Sequence, residues 1–286
     1  MCIRDRTWRA LCPELQVEWP DEQPEYWEGV TMENGRVVEL VSEEFELTGA
    51  VPAEIGQLTS LRGLHLENNQ LTTLPAEIGQ LTALRELILD FNQLTSVPAE
   101  IGRLTSLENL YLSGNQLTSL PAEIWQLTRM GVLLLGGNRL TSLPVEIGQL
   151  TALENLYLSG NQLTSLPAEI WQLTRMGVLL LGGNRLTSLP AEIGQLTALE
   201  ELDLRDNQLM SVPAEIWQLT SLTALYLIGN QLTTLPARIR ELRADWRPRR
   251  WLAPRLPGDP CEVIMDDGVT FEEFPVVCAF KLVIIR

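Results

Sequence analysis

One sequence feature constrains the fold of this 286-residue chain more than any other, namely the recurrence of proline every 23 residues. An asparagine with the same step stands six residues before each proline after the first. The prolines are Pro52, Pro75, Pro98, Pro121, Pro144, Pro167, Pro190, Pro213 and Pro236. The asparagines are Asn69, Asn92, Asn115, Asn138, Asn161, Asn184, Asn207 and Asn230. A fixed period of this length predicts a solenoid, in which stacked units bury one another's apolar side chains.

Each unit has the frame LxxLxLxxNxL and continues with a segment such as TSLPAEIGQLT. The alternating leucines, for example Leu110 and Leu112, predict a short strand with one buried side, and stacking predicts a parallel sheet. The asparagine is expected to hydrogen-bond backbone groups that are left unpaired where the chain leaves the sheet. The proline then starts a turn into a short helix or 3-10 segment, whose first turn favours the glutamate through the helix dipole.

These motifs resemble those of leucine-rich repeat proteins. The LPxEIxxL element is similar to the 23-residue class found in Ras-suppressor-type proteins and the plant intracellular Ras-group family, and the resemblance covers residues 37–244. It implies an α/β solenoid, a horseshoe with a parallel concave β-sheet and short helical or 3-10 convex segments. The family further implies non-enzymatic protein scaffolding in signalling through the concave surface. The segments WEGV, GRVVEL and LTGAVP instead resemble the N-terminal cap and first repeat of plant-type receptor ectodomains.

The chain is divided by its repeat pattern into four parts. Residues 1–26 are an irregular lead-in, of which 1–6 read as a translated sequencing adapter, and 27–60 form the N-terminal cap and a degenerate first repeat with Phe45 at the asparagine position. Residues 61–244 hold eight regular repeats, and 245–286 an Arg/Pro-rich linker followed by a C-terminal cap or tail. Residues 107–144 are identical to 153–190, so a 46-residue unit occurs twice.

Charge and motifs exclude several classes of function. With 21 basic and 37 acidic residues the formal charge is −16, which disfavours nucleic acid and anionic lipid surfaces. Arginine and tryptophan between Arg238 and Arg255 could contact RNA, but a solvated linker or an out-of-frame insertion is the preferred interpretation. The last apolar run, interrupted by Lys281, is too short to cross a bilayer and fits one or two strands covering the last repeat.

No catalytic or cofactor motif is recognisable. Nucleophile elbows, P-loops and GxGxxG turns are absent, and His65, the single histidine, is interpreted as an ordinary surface residue. Cys2, Cys12, Cys261 and Cys278 lack CxxC spacing, which argues against zinc and favours a reducing, cytoplasmic location. We therefore expect no enzymatic activity, no cofactor and no metal.

The candidate binding surface is the central column of the concave sheet, formed by the residue between the two strand leucines of each repeat. Its members are His65, Ile88, Tyr111, Leu134, Tyr157, Leu180, Asp203 and Tyr226. Most are apolar or aromatic although expected to face solvent, with Asn109, Asn155, Arg139 and Arg185 as polar flanks. This pattern favours a protein-binding surface anchored by tyrosines, and the alternative is that repeat copying propagated β-favouring residues.

Acidic residues, Glu86 and Asp90 at one end and Glu201, Asp203 and Asp206 at the other, would complement a basic partner. On the convex side, glycine alternates with Trp125, Trp171 and Trp217 at one repeat position. We expect each indole to lie over the neighbouring glycine and fill a groove, rather than form an interaction ridge.

Two functional hypotheses follow from the sequence. The first is a monomeric intracellular module whose concave face binds a protein, without nucleic-acid binding or membrane insertion. The second is the recognition part of a larger receptor-like or effector protein, in which other sequence supplies a membrane anchor or catalysis. The two differ in what the full transcript encodes on either side of the repeats.

Overall fold

The computed structural model describes residues 29–233 and the backbone of a strand at 281–283. The strands in this part of the chain are β1 (Val30–Glu33), β2 (Arg36–Val41), β3 (Thr48–Ala50), β4 (Gly63–His65), β5 (Gln70–Thr73), β6 (Glu86–Ile88), β7 (Asn109–Tyr111), β8 (Val132–Leu134), β9 (Asn155–Tyr157), β10 (Val178–Leu180), β11 (Glu201–Asp203), β12 (Ala224–Tyr226) and β13 (Lys281–Val283). Its 3-10 segments are Ala53–Gln57, Ala76–Gln80, Ala99–Arg103, Ala122–Gln126, Val145–Gln149, Ala168–Gln172, Ala191–Gln195 and Ala214–Gln218.

Several sequence predictions lie outside the described residues. They are the lead-in at 1–26, the end of the eighth repeat after residue 233, the arginine-rich stretch and the four cysteines.

The solenoid predicted from the 23-residue period is confirmed. One sheet runs in the order β1-β2-β4-β6-β7-β8-β9-β10-β11-β12-β13, and all pairs after β1–β2 are parallel. The register is the same from repeat to repeat, since Leu110 pairs with Leu133 and Leu133 with Leu156. Each of these middle leucines is fully buried, so the residues before and after it lie on the opposite, concave side.

The described part of the chain begins with a β-hairpin. Strands β1 and β2 pair antiparallel through a turn at Asn34 and Gly35, both with positive φ, as a tight hairpin turn requires. Strand β2 then pairs in parallel with β4, which connects the hairpin to the repeats. A separate two-stranded sheet joins β3 to β5. Phe45 is half-buried and packs against the core, one repeat before the first ladder asparagine, Asn69.

The asparagines form the predicted ladder. Asn138 is typical: its amide nitrogen donates to the carbonyls of Leu135 in its own repeat, at 3.0 Å, and of Leu112 in the preceding repeat, at 2.9 Å. Its Oδ1 accepts the N–H of Leu117 at 3.0 Å. The same three bonds recur at the other asparagines from Asn69 to Asn230. Each side chain therefore satisfies backbone groups of two adjacent repeats in the core.

The convex segments are 3-10 helices, one of the two forms that the sequence allowed. Pro121 precedes one of them with φ −66° and ψ 146°, and Glu123 lies in its first turn, as predicted. The buried Ile124 and Leu127 close the core from this side. Equivalent residues in the other repeats are also buried, which makes the interior a continuous stack of leucine and isoleucine.

Glycine and tryptophan share one position in these segments. Trp125 and Trp171 are buried, which agrees with the predicted groove-filling role, whereas Trp217 is half-buried. The glycines have an additional reason to be small. A Cβ added at Gly79 would lie 2.5 Å from the carbonyl oxygen of Glu100 in the next repeat. The placement of an indole over each glycine stays a prediction.

Candidate functional site

The concave sheet brings the predicted central column together as one surface. Its members occupy the third position of strands β4 and β6–β12, and the parallel register places each beside the next. Ile88, Tyr111, Leu134, Tyr157 and Leu180 are all half-buried, so apolar and aromatic surface remains open to solvent along five consecutive strands. We call these five residues the apolar column. Its length and continuity suit a partner that contacts several repeats at once.

The polar flanks separate into two groups. Asn109 and Asn155 belong to the sheet surface, since they begin strands β7 and β9 and are half-buried beside the column. Asn109 donates from its amide to Glu86 Oε1 at 3.3 Å. Arg139 and Arg185 are exposed but lie in loops after the ladder asparagines Asn138 and Asn184, not on the strands. The structure therefore joins the asparagines to the apolar column and leaves the arginines at its margin.

Asp203 corrects one expectation. The sequence pattern places it on the solvent side of β11, but it is only 3% exposed. The guanidinium of Arg205 covers it with bonds of 2.7 to 3.1 Å, and the backbone N–H of Arg205 also donates to its carboxylate. Gly182, in the preceding repeat, leaves room for the carboxylate, because a Cβ there would be 3.1 Å from Oδ2. Arg205 in turn lies over the ring of Tyr226, 5.0 Å from its centroid.

His65 is less exposed than an ordinary surface residue. Its side chain retains 17% exposure, and Nε2 lies 3.2 Å from Glu86 Oε2. Glu86 thus contacts His65 on one side and Asn109 on the other. These contacts tie the first three repeats together across the concave face.

Two residues near Asp90, namely Glu67 and Phe91, were not predicted from the sequence as parts of the surface. Glu67 and Asp90 occupy the same repeat position, two residues after the central column. The Oε2 atom of Glu67 is buried without a hydrogen-bond partner. Phe91 is 60% exposed with φ 53°, at a position that is glycine in most of the other repeats. A bulky residue at a position that is glycine in most repeats is the sequence signal that could have identified Phe91.

Asp90 has an unusual acidity. Burial, opposed by the backbone hydrogen bond from Ser113 and reinforced by the charge of Glu67, raises the pKa of Asp90 from 3.8 to about 6. The Ser113 N–H donates to Asp90 Oδ1 at 2.5 Å. Burial also raises the pKa of the neighbouring Tyr111, and the negative charges of Glu86 and Asp90 raise it further. The carboxylates of Glu67, Glu86 and Asp90 therefore place negative charge around Asp90 and Tyr111.

Asp90 provides a test by pH. Because its pKa is higher in the folded chain than its ordinary value, the native state binds more protons between pH 3.8 and about 6 and loses stability as the pH rises through that window. We expect Asp90→Asn to raise the free energy of unfolding at pH 7 by on the order of 1 kcal/mol, after allowance for solvent screening. Urea unfolding at pH 3 should show no gain, and an equal gain at both pH values would contradict the assignment.

Among residues 29–233 and 281–283, no group of three or more His, Cys, Asp or Glu side chains is placed to hold a metal ion. Helices long and apolar enough to traverse a bilayer are likewise missing from this part of the chain.

Comparisons with known proteins agree with the geometry. A family model described as a leucine-rich repeat region matches residues 36–135 and 122–203, more than half of the chain, and a second leucine-rich repeat model matches 198–219. No curated protein matches the chain.

Solved structures show the same architecture. The leucine-rich repeat ectodomain of the plant membrane receptor kinase GASSHO1/SCHENGEN3 from Arabidopsis thaliana, in complex with CASPARIAN STRIP INTEGRITY FACTOR 2, is 39% identical, with a TM-score of 0.62. The match covers 65% of this chain but 23% of that one. A TDR receptor is 29% identical over 69% of this chain and 34% of its own, with a TM-score of 0.62. A plant ice-binding protein, 23% identical over 81% and 93%, has a TM-score of 0.64 and shows the fold alone.

Proposed function

The chain belongs to the leucine-rich repeat family, and from this premise we propose that it is a non-enzymatic scaffold that binds a protein partner on its concave sheet. Leucine-rich repeat proteins generally mediate protein–protein interaction. The observation that carries the proposal is the apolar column, which leaves five neighbouring apolar or aromatic side chains half-open to solvent. Half-exposed tyrosines are suitable anchors, because the ring contributes apolar contact area and the hydroxyl can hydrogen-bond.

The proposal includes a cellular setting. A monomer in cytoplasmic signalling, similar to the Ras-suppressor and plant intracellular Ras-group proteins, is supported by the LPxEIxxL element. This element recurs in the regular repeats up to Leu219, with valine in place of its first leucine at Val97 and Val212. Fractionation of cells that express the full transcript, followed by immunoblotting, tests the location. Recovery in the secreted or membrane fraction would contradict it.

Alanine at Tyr111, Tyr157 and Tyr226 together tests the binding surface. We expect capture of the partner by the immobilised full chain to fall at least tenfold, about 1.4 kcal/mol, because three anchoring rings are removed while the buried leucines stay in place. Quantitative mass spectrometry of the captured proteins measures the loss.

The matched control places alanine at three exposed residues just after 3-10 segments, namely Thr128, Thr174 and Thr220. This variant should capture the same proteins as the unmodified chain. Equal capture by the tyrosine variant and the unmodified chain would overturn the concave site.

The alternative function is the recognition part of a larger receptor-like protein. It is favoured by the N-terminal hairpin, by the second small sheet of β3 and β5, and by the likeness to two receptors. Full-length transcript sequencing decides between the two. A transmembrane or kinase sequence continuous with the repeats supports the alternative, whereas stop codons on both sides support the scaffold.

A further inference from the structure

Acidic residues near β4 and β6 and near β11 of the concave sheet differ in whether the chain pairs them with a cation. At the β11 end the chain supplies its own cation, since Arg205 lies between the carboxylate of Asp203 and the ring of Tyr226. At the β4–β6 end, Glu67 and Asp90 form no ion pair with any basic side chain of residues 29–233. The nearest repeats do contain arginines, but Arg62 pairs with Glu33 and Arg85 with Glu108.

The uncompensated end also has an exposed aromatic ring. Phe91 directly follows Asp90, and its ring lies against Gly114 of the next repeat, where an added Cβ would be 2.5 Å from Cδ1. We call Glu67, Asp90 and Phe91 the acidic corner. Like Asp203 with Tyr226, it combines carboxylate and aromatic surface, but no described cation occupies it. A guanidinium or ammonium group there would gain both charge pairing and contact with a ring.

The acidic corner is continuous with the apolar column. Ile88 lies two residues before Asp90. Tyr111 is on the next strand, and the charge of Asp90 contributes to its raised pKa. Neighbouring parallel strands are about 4.8 Å apart, so Ile88, Tyr111 and Leu134 extend roughly 10 Å along the sheet from the corner. A segment in extended conformation, with a basic residue at one end and apolar residues after it, complements this surface in charge and in polarity.

We propose that the partner binds the concave sheet through an extended segment of its chain, with an arginine or lysine in the acidic corner and the following apolar side chains on Ile88, Tyr111 and Leu134. This inference rests on the proposed function and names the chemistry of the partner. The cation would pair with two carboxylates that now repel each other, so recognition should depend strongly on charge.

A phage-displayed library of random 12-residue peptides, selected on the immobilised full chain, tests the proposal. We expect the selected peptides to share an arginine or lysine at a fixed distance from two or more apolar residues. Synthetic peptides of these sequences are then titrated calorimetrically against the chain and against the double variant Glu67→Gln, Asp90→Asn. The variant should bind the peptides at least tenfold more weakly. Replacing the shared basic residue of the peptide by citrulline or norleucine should weaken binding to the unmodified chain by about the same factor. The same replacement should not weaken binding to the variant any further.

Two controls separate the possible results. The double variant Glu192→Gln, Glu215→Gln removes the same charge from the convex 3-10 segments and should bind each peptide as the unmodified chain does. The triple tyrosine variant reports whether the peptides use the concave sheet at all. Circular dichroism of the corner variant is expected to match that of the unmodified chain, because the amide at position 90 can still accept the Ser113 N–H.

The outcomes distinguish this inference from the proposed function. Peptides that require the tyrosines but lack a shared basic residue, or bind the corner variant with unchanged affinity, overturn the acidic corner and leave the concave site intact. A selection that yields no peptide dependent on the tyrosines overturns both. A shared basic residue whose contribution disappears in the corner variant supports both.

Discussion

Replacing Asn138 by alanine is expected to lower the free energy of unfolding by about 2–4 kcal/mol, because several buried backbone groups lose their partner at once. The carbonyls of Leu112 and Leu135 and the N–H of Leu117 are all satisfied by this one side chain. A methyl group cannot replace any of these bonds, and Asn138 is only 6% exposed. Urea unfolding followed by circular dichroism measures the loss.

Two other asparagines serve as controls for this prediction. Asn184 lies in the identical copy of the sequence and makes the equivalent bonds, so Asn184→Ala should cost the same within error. Asn155 is on the concave surface outside the ladder, and Asn155→Ala should change stability by less than about 0.5 kcal/mol. Equal losses at Asn155 and Asn138 would show that the ladder bonds are not the cause.

The second large effect is expected at Gly79, where alanine should destabilise the chain by about 1–3 kcal/mol. The added Cβ would be 2.5 Å from the carbonyl oxygen of Glu100 and 2.8 Å from its Cβ, so two repeats would have to move apart. Because the obstacle is largely backbone, a change of side-chain rotamer cannot relieve it.

Gly131 is the matched control for Gly79. Its nearest obstacle to a Cβ is 3.9 Å away, which is ordinary contact. Gly131→Ala should therefore be neutral or slightly stabilising, by up to about 1 kcal/mol, through the lower entropy of the unfolded chain. Thermal unfolding of both variants decides the matter, and a Gly79→Ala variant as stable as Gly131→Ala would mean that the repeat interface adjusts freely.

Much of the fold could be predicted because equivalent residues have the same packing environment in every repeat. The period assigns Leu110 to the core, Asn138 to the ladder and Ile124 to the convex side, and the same assignment then holds in all copies. The choice between a helix and a 3-10 segment was left open, since a five-residue segment contains too little sequence to select one hydrogen-bond pattern.

The departures arise where a residue in one repeat depends on particular residues nearby. Asp203 is buried because Arg205 covers it and Gly182 leaves room, neither of which follows from its place in the strand pattern. The pKa of Asp90 depends on burial and on Glu67 in another repeat. The half-exposed apolar column could be predicted from the pattern, but the acidic corner required the three-dimensional neighbours of Phe91.

The identical copies at 107–144 and 153–190 have a consequence for the evolution of the recognition surface. If residues 107–152 were deleted, Ser106 would be followed by Leu153, and the repeat at 84–106 would meet the same sequence that it contacts now. Every junction in the shortened chain would therefore already exist in the present one. Recombination can lengthen or shorten the sheet by two strands without creating an unfamiliar interface, so the reach of the surface can change while its chemistry is inherited unchanged.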